Sequence, residues 1–372
     1  MINESLLKPE ERAIYALRSL YSSYGYTPYK MSKFEEYDLY VKNKDSLISE
    51  GIITFTDTRG RLLALKPDVT LSIIKNSKDI GDGVYKVYYN ESVYRIGKDS
   101  HTFKEIMQTG LECIGSLDAY QVAEVVVLAL DSLATLGGEY MLDLAHVGLV
   151  DALFAAQGID GETRERILDA ISKKNMAELD ALVRDKALGA DAAALAVALS
   201  AEYDSFADAS ASLSAYATTA EAMDALSSFG ELCATLSALG YAQKIRIDFS
   251  VINPTSYYSG VVFKGYIKGI PDGVLAGGQY DRMMRRMGRA DGAVGFAVYM
   301  DALARYGEEV PAYDTDILLL KNGAAPADVL RAVAALSKGG VRVTALCEKA
   351  PAIRYKSLYK MQGKEAILCG ND

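Results

Sequence analysis

The sequence is poor in the side chains that most often carry acid–base and metal chemistry. It contains only two histidines, His101 and His146, which we interpret as loop or packing residues rather than catalysts. The four cysteines are far apart along the chain: Cys113, Cys233, Cys347 and Cys369. Without a C-x-x-C pair or a His/Cys cluster of metal-ligand spacing, the sequence predicts no metal site and no disulfide framework. It predicts reduced thiols in a cytoplasmic protein.

Other motifs are missing as well. Neither a phosphate-binding G-x-x-x-x-G-K-[ST] loop nor a dinucleotide-binding G-x-G-x-x-G after a strand occurs, so no cofactor is predicted. No segment approaches the roughly 18 uninterrupted apolar residues of a membrane span, and the N-terminal residues lack a signal-peptide pattern. Forty basic against 49 acidic residues give a net charge of -9, which disfavours nucleic acid as a partner.

What is present indicates an α+β protein of two or three domains, since half of the 372 residues are apolar and about a quarter are charged. Segments rich in β-branched and aromatic residues in 1–138 and 241–310 predict one antiparallel sheet core with flanking helices. Residues 139–240 are Ala-rich with successive amphipathic stretches, which predict a helical insertion. Residues 311–372 predict a small α/β unit of strand, helix, strand, helix and strand.

The segment IMQTGLECIG carries the first candidate binding residues. On a strand, Gln108, Gly110 and Glu112 project to one face, so a carboxamide and a carboxylate lie over a glycine that leaves room between them. That geometry suits the ammonium group of a small ligand. A solvated sheet face explains the same spacing.

The segment KPDVT and the end of the preceding strand-like run add three more candidates. Asp68 is a second carboxylate for a cation and Thr70 a hydroxyl partner, although either residue also suits the N-cap of the helix that follows. Arg95 ends an apolar strand, where a planar guanidinium suits a carboxylate or phosphate. A surface ion pair is the alternative role for Arg95.

Two further segments supply aromatic and glycine residues. Tyr257 and Tyr258, in TSYYSGVVF, are predicted to place one ring on each face of a strand, one as a pocket wall and one in the core. In AGGQYD, Gly277 and Gly278 permit close approach of the backbone to a ligand, and a tight turn between strand and helix requires glycines equally.

In order and spacing these segments resemble the catalytic core of class II aminoacyl-tRNA synthetases, most closely histidyl-tRNA synthetase. YGYTPYKMSKFEEYDLY looks like the first motif, SVYRIGKDSHTFKEIMQTGLECIG the second and AVGFAVYMDAL the third, while YYSGVVF and GGQYD resemble the histidine-specific segments. The resemblance implies a six-stranded antiparallel sheet and a homodimer. It also implies that Asp68, Gln108 and Glu112 bind the amino-acid ammonium, with Tyr257 and Tyr258 near the imidazole.

The sequence departs from the synthetase pattern at residues that handle ATP. Asn253 stands where the synthetases have an arginine that helps activate the carboxylate, and Ala302 where an arginine grips ATP. The glutamate expected two residues after Arg95 is Gly97, and Ser32 replaces the usual proline of the first motif. Removing one group that stabilises a charged transition state lowers the reaction rate by about 10² to 10³. The absence of two such cationic groups therefore predicts that adenylation is lost.

These losses are similar to those of a paralogous family, the regulatory subunits of ATP phosphoribosyltransferase. That resemblance implies a non-catalytic subunit that acts with a short catalytic subunit in the first step of histidine biosynthesis, within a hetero-octamer, with histidine as feedback effector. A divergent histidyl-tRNA synthetase is the alternative. Residues 311–372 look like a partial anticodon-binding domain. A third hypothesis is that this segment binds RNA or another enzyme. It rests on the basic residues of the segment, for which a solvated helical face is the alternative explanation. These residues are Arg331, Lys338, Arg342, Lys349, Arg354, Lys356, Lys360 and Lys364.

Overall fold

A computed structural model describes residues 7–42, 51–77, 81, 83–96, 102–159, 161–184, 188–252, 258–307, 312–350 and 352–371. Contacts divide the chain into two compact units, one formed by Pro9–Tyr306 and the other containing Gly307–Asp372. The α helices are α1 (Pro9–Ser23), α2 (Tyr37–Lys42), α3 (Thr70–Asn76), α4 (Ala119–Leu136), α5 (Val147–Ala156), α6 (Gly161–Ser172), α7 (Met176–Arg184), α8 (Ala190–Ser200), α9 (Phe206–Leu213), α10 (Ala220–Ala238), α11 (Asp281–Arg286), α12 (Met300–Gly307) and α13 (Pro326–Leu336). The strands are β1 (Thr27–Pro28), β2 (Phe34–Glu36), β3 (Thr54–Thr56), β4 (Leu62–Leu65), β5 (Val84–Ile96), β6 (Phe103–Gly115), β7 (Tyr140–His146), β8 (Glu202–Tyr203), β9 (Ile245–Asp248), β10 (Val261–Ile267), β11 (Leu275–Gln279), β12 (Gly292–Tyr299), β13 (Thr315–Leu320), β14 (Val343–Leu346), β15 (Tyr355–Gln362) and β16 (Glu365–Asn371).

The larger unit is built on one mixed sheet. Within the described ranges its strand order is β1-β5-β6-β12-β11-β10-β7-β9-β8. The six strands from β5 to β7 in that order pair antiparallel, and β1 and β9 add parallel pairs at either side. The predicted α+β fold with an antiparallel core of six strands is therefore confirmed, and shorter edge strands extend it.

Helix α4 packs along one face of this sheet. It begins with a capping box in which the Asp118 side chain accepts from the backbone of Gln121 while the Gln121 side chain bonds back to Asp118. It ends at Gly137, whose φ of 89° favours glycine. By length and composition α4 could span a membrane, but its apolar residues belong to the core, with Leu111 and Cys113 of β6.

The predicted helical insertion contains a run of helices. We call α5 to α10, with the short strand β8 between α8 and α9, the helical segment. The strand-like start of the same range is β7, which pairs with β10 and β9 in the main sheet. β8 pairs antiparallel with β9, so Glu202 lies opposite Asp248. The helical segment is thus joined to the sheet edge by backbone pairing.

The smaller unit has a four-stranded sheet in the order β14-β13-β15-β16. The prediction of a second helix before the last strand was wrong: β15 occupies that position and pairs parallel with β13 and antiparallel with β16. Tyr359 packs against the small core of this unit and Met361 belongs to it, which is the two-residue period of a strand. Gly363, with φ of 64°, forms the tight turn between the strands.

Candidate functional site

The pairing register brings polar residues of β6 and β12 together on the sheet face opposite α4. Gln108 lies opposite Tyr299, Gly110 opposite Ala297 and Glu112 opposite Gly295. Because Leu111 belongs to the core that contains the residues of α4, its neighbours on β6 project the other way. A single face therefore carries the carboxamide and the carboxylate that the sequence singled out.

These residues line a small cavity, which we call the cradle. Seven of the nine predicted site residues line it: Asp68, Thr70, Arg95, Gln108, Glu112, Tyr258 and Gly277. The other lining residues are Val69, Tyr89, Ala276, Tyr280, Gly295, Phe296, Ala297 and Tyr299. The cradle has a volume of about 40 Å³, room for a few waters at roughly 10–15 Å³ each.

Glu112 is a strongly perturbed acid of the cradle. Only 2% of the residue is exposed, and burial raises the pKa of its carboxyl from 4.5 to about 8. Two hydroxyl groups oppose that shift: Thr70 Oγ1 donates to Glu112 Oε1 at 2.6 Å, and the Tyr280 hydroxyl donates a very short hydrogen bond to Oε2. A cationic ligand group would stabilise the charged form.

Asp68 bonds the start of α3, although the N-cap position is Val69 and not Asp68 or Thr70 as the alternative prediction had it. Its Oδ1 accepts from the backbone N–H of Leu71, in the first turn, at 2.9 Å. It also lines the cradle, where burial raises the pKa of its carboxyl. Thr70 is the first residue of α3 and bonds Glu112 instead of capping. The bond to Leu71 therefore holds a second carboxylate beside the first.

Arg95 is oriented by the backbone. Its Nε donates to the carbonyl oxygen of Pro67 at 3.0 Å, and its positive charge lowers the pKa of Asp68, against the larger effect of burial. The guanidinium lines the cradle. Arg95 is thus placed to meet an anionic ligand group beside the two carboxylates.

The aromatic and glycine residues differ in part from the prediction. Tyr257 lies outside the described residues, and Tyr258 precedes β10 by three residues, so it is not a strand residue with a ring on one sheet face. Gly277 and Gly278 lie inside β11 rather than in a turn before α11. Gly278 does not line the cradle: a Cβ there would stand 2.7 Å from the ring of Tyr258. Its lack of a side chain makes room for Tyr258, which does line it.

Three tyrosines of the cradle were not predicted: Tyr89, Tyr280 and Tyr299. Tyr280 stands in the quoted segment GGQYD, but its partner Glu112 is 168 residues away, which no local pattern reveals. Tyr89 lies opposite Gly110 in the register, and a side chain on Gly110 would strike its hydroxyl. Gly295 likewise leaves room for the Glu112 carboxylate. Glycines that face a large polar side chain on the paired strand were the one sequence feature that could have indicated these residues.

The departures from the synthetase pattern lie partly within the described chain. Ala302 lies in the first turn of α12, partly buried against the core, and the neighbouring Asp301 accepts from the backbone N–H of Met107 at 3.3 Å. Ser32 Oγ accepts from the N–H of Phe34 at 3.1 Å. Gly97, His101 and Asn253 lie outside the described residues.

His146 is a packing residue. Its Nδ1 accepts from the backbone N–H of Leu149 at 3.0 Å and caps α5, and its ring stands 5.7 Å from that of Phe229. Burial lowers the pKa of His146 to about 4. The cradle therefore relies on carboxylates, one guanidinium, one carboxamide and hydroxyls, a set suited to holding a small zwitterion.

Comparisons with known proteins agree with this architecture. The family model described as histidyl-tRNA synthetase matches residues 3–303. The ATP phosphoribosyltransferase regulatory subunit of Clostridium kluyveri is 27% identical over 300 residues, covering 78% of this chain and 75% of the relative. That of Bacillus mycoides is 27% identical over 298 residues, covering 79% and 71%.

Two solved structures share the fold. An ATP phosphoribosyltransferase regulatory subunit/histidyl-tRNA synthetase from Bacillus halodurans superposes with a TM-score of 0.75 at 20% identity, covering 95% of this chain and 93% of that chain. A chain of the ATP phosphoribosyl transferase complex from Thermotoga maritima superposes with a TM-score of 0.61 at 19% identity, covering 78% and 97%.

Proposed function

Since the chain belongs to the histidyl-tRNA synthetase family, we propose that it is a member that has lost adenylation and serves as the regulatory subunit of ATP phosphoribosyltransferase. In this role it acts in the cytoplasm with a short catalytic subunit in the first step of histidine biosynthesis. Histidine bound in the cradle is the feedback effector. The names of the relatives from Clostridium kluyveri and Bacillus mycoides support this role.

One contrast within the site carries the proposal. The groups suited to an amino acid surround the cradle, namely Asp68, Gln108 and Glu112 with Arg95 beside them. The arginines with which the synthetases handle ATP are replaced by Asn253 and Ala302. Adenylation concentrates negative charge on phosphate, so a site without those cations binds an amino acid but activates it poorly.

The proposed assembly follows the family. We expect a homodimer within a hetero-octamer that contains the short catalytic subunit. The Thermotoga maritima chain with the same fold belongs to an ATP phosphoribosyl transferase complex, which supports a catalytic partner. We assign residues 311–372 as a partial anticodon-binding-like domain whose strands and single described helix form their own unit.

The decisive experiment is reconstitution. The full chain is co-expressed with a short-form phosphoribosyltransferase, and condensation of ATP with phosphoribosyl pyrophosphate is measured with each subunit alone, with both, and with added histidine. We expect activity that needs both chains and falls with histidine. Histidine-dependent exchange of ATP with pyrophosphate and charging of tRNA are measured on the same protein.

Two isosteric substitutions on one strand test the ligand site. Glu112→Gln should remove histidine inhibition, because a carboxamide cannot neutralise an ammonium group. The co-purified complex should stay intact. Glu105→Gln lies on the same strand but is exposed, and should behave as wild type. Synthetase-like exchange and tRNA charging would instead establish the divergent synthetase, which the family model's description favours as the second candidate.

A further inference from the structure

A large cleft lined by charged and apolar residues adjoins the cradle. It has a volume of about 870 Å³ and shares Tyr258, Ala276 and Tyr299 with the cradle as a common wall. The cleft is bounded by strands β7, β9 and β10 and by Lys173 and Lys174 of the turn between α6 and α7. A change in the position of that turn therefore alters the surroundings of the cradle.

Ion pairs hold the turn on the sheet edge. Arg246 of β9 binds Asp143 of β7 through two hydrogen bonds of 2.9 and 2.8 Å, and binds Glu202 of β8 at 2.6 Å. Lys174 also binds Glu202, and its Nζ lies 3.2 Å from Asp248 Oδ2. We call these five residues the ion network. Asp143 and Asp248 are 2% and 1% exposed, so the cations compensate charges that water does not reach.

Asp248 connects the ion network to the part of the cleft wall that precedes Tyr258 in the chain. Its Oδ2 receives the Lys174 ammonium while its Oδ1 accepts from the N–H of Ser250 at 2.8 Å. That second bond starts the short 3-10 helix Phe249–Val251. Seven residues after this helix comes Tyr258, a wall of the cradle. The carboxylate of Asp248 thus joins Lys174 of the helical segment to a short helix whose residues Ser250 and Val251 line the same cleft as Tyr258.

The backbone of Lys174 is adapted to this position. It adopts a φ of 50°, in the left-handed region that most side chains avoid. The N–H groups of Lys174 and Asn175 bond to Ile171 O and Ala170 O at 2.9 and 2.8 Å, closing the end of α6. Asparagine or glycine would adopt this left-handed backbone more easily than lysine. Lys174 nevertheless occupies the position, and its long side chain carries the ammonium group to the sheet.

We infer that Lys174 is a positioning residue for the cradle: through Asp248 it couples the docking of the helical segment to the placement of Tyr258, and so to ligand affinity. The inference rests on the proposed binding of histidine in the cradle. By linkage, whatever loosens the contact between Lys174 and Asp248 weakens the ligand, and bound ligand tightens that contact equally. A partner that moves the helical segment would then change histidine affinity without touching the cradle.

Three variants of the full chain test this coupling. Lys174→Asn removes the ammonium but tolerates the left-handed backbone, Lys174→Arg restores a cation, and Lys173→Asn is the matched control because Lys173 pairs with Asp169 one helical turn away. Histidine affinity is measured by calorimetry. We expect Lys174→Asn to weaken binding by on the order of tenfold, and the other two variants to stay close to wild type.

A second measurement needs no ligand. Amide hydrogen exchange of residues 249–252 and 258–260 should accelerate in Lys174→Asn and not in Lys173→Asn, and thermal unfolding shows that each variant is folded. Wild-type exchange in Lys174→Asn, or equal acceleration in both asparagine variants, overturns the inference. Wild type that fails to bind histidine contradicts the proposed function instead, while the exchange data still decide the role of Lys174.

Discussion

The hydroxyl of Thr70 donates a 2.6 Å hydrogen bond to Glu112 Oε1, joining the first residue of α3 to the middle of the main sheet. Both residues are buried. The bond favours the charged carboxylate and lowers a pKa that burial raises. The two residues therefore set together how much of Glu112 is charged near neutral pH.

Thr70→Val should weaken histidine binding and move its pH dependence upward. Without the hydroxyl the pKa of Glu112 rises further, and a hydrogen bond to a charged group contributes about 1.5–3 kcal/mol. Binding isotherms from pH 6 to 9 measure the shift. Thr70→Ser should restore the wild-type midpoint. Thr109→Val, on the strand of Glu112, loses a 3.0 Å bond to Asn90 of the neighbouring strand β5 and should leave the pH midpoint in place. An unchanged midpoint in Thr70→Val would contradict the role of the bond.

Glu112 should make the protein less stable as pH rises. Its folded pKa of about 8 lies above its ordinary 4.5, so between these values the folded state holds a proton that the unfolded state has lost. The free energy of unfolding falls across that window, by up to about 1.4 kcal/mol per pH unit, and levels off above pH 8. Denaturant titrations are made from pH 6.5 to 8, above the window in which His146 acts in the opposite direction. They should show this slope in wild type and in Glu105→Gln but not in Glu112→Gln. Parallel profiles for all three proteins would disprove it.

His146 should act in the opposite direction. Its folded pKa of about 4 lies below its ordinary 6.5, so the unfolded state gains a proton first as pH falls and stability is lost from pH 6.5 toward 4. His146→Asn keeps an oxygen acceptor for the N–H of Leu149 and removes this loss. Thermal unfolding midpoints from pH 4 to 8 test the change. A mutant midpoint that still falls on acidification in parallel with wild type would refute it.

Gly278→Ala should disturb the cradle from outside it. The new methyl group would stand 2.7 Å from the Tyr258 ring and 2.6 Å from the carbonyl oxygen of Val261, and overpacking of this kind costs about 1–3 kcal/mol. We expect a lower thermal midpoint and weaker histidine binding. Gly161→Ala is the control, since its added Cβ meets open space among the described residues. Equal thermal midpoints and equal histidine affinities of the two variants would show that the Tyr258 ring can move away from the added methyl group without cost.

Local patterns predicted the elements whose signal lies within a few residues. The alternation in β6, the capping residues of α4 and the run of helices after β7 are of that kind. The last predicted helix failed because KSLYKMQ fits an amphipathic helix over so short a length, and pairing with β13 decided for a strand. Tertiary context overrode propensity there.

The site was predictable where one strand or turn holds several of its residues. Gln108 and Glu112 share a strand, and Asp68 precedes Thr70 by two residues. Tyr280 and Tyr299 were missed because only long-range contacts bring Tyr280 to Glu112 and Tyr299 opposite Gln108. Tyr258 was misplaced because the strand begins three residues later than its aromatic composition indicates.

The small volume of the cradle has a consequence for the concentration at which a sensor responds. Where a pocket of about 40 Å³ opens to admit an amino acid, the apparent dissociation constant exceeds the intrinsic one by the inverse of the open fraction. In the proposed role, the open fraction helps to set the histidine concentration at which the pathway responds. Mutations that change only how often the cradle opens would then change the histidine concentration that the cell maintains, although every contact with the ligand is kept.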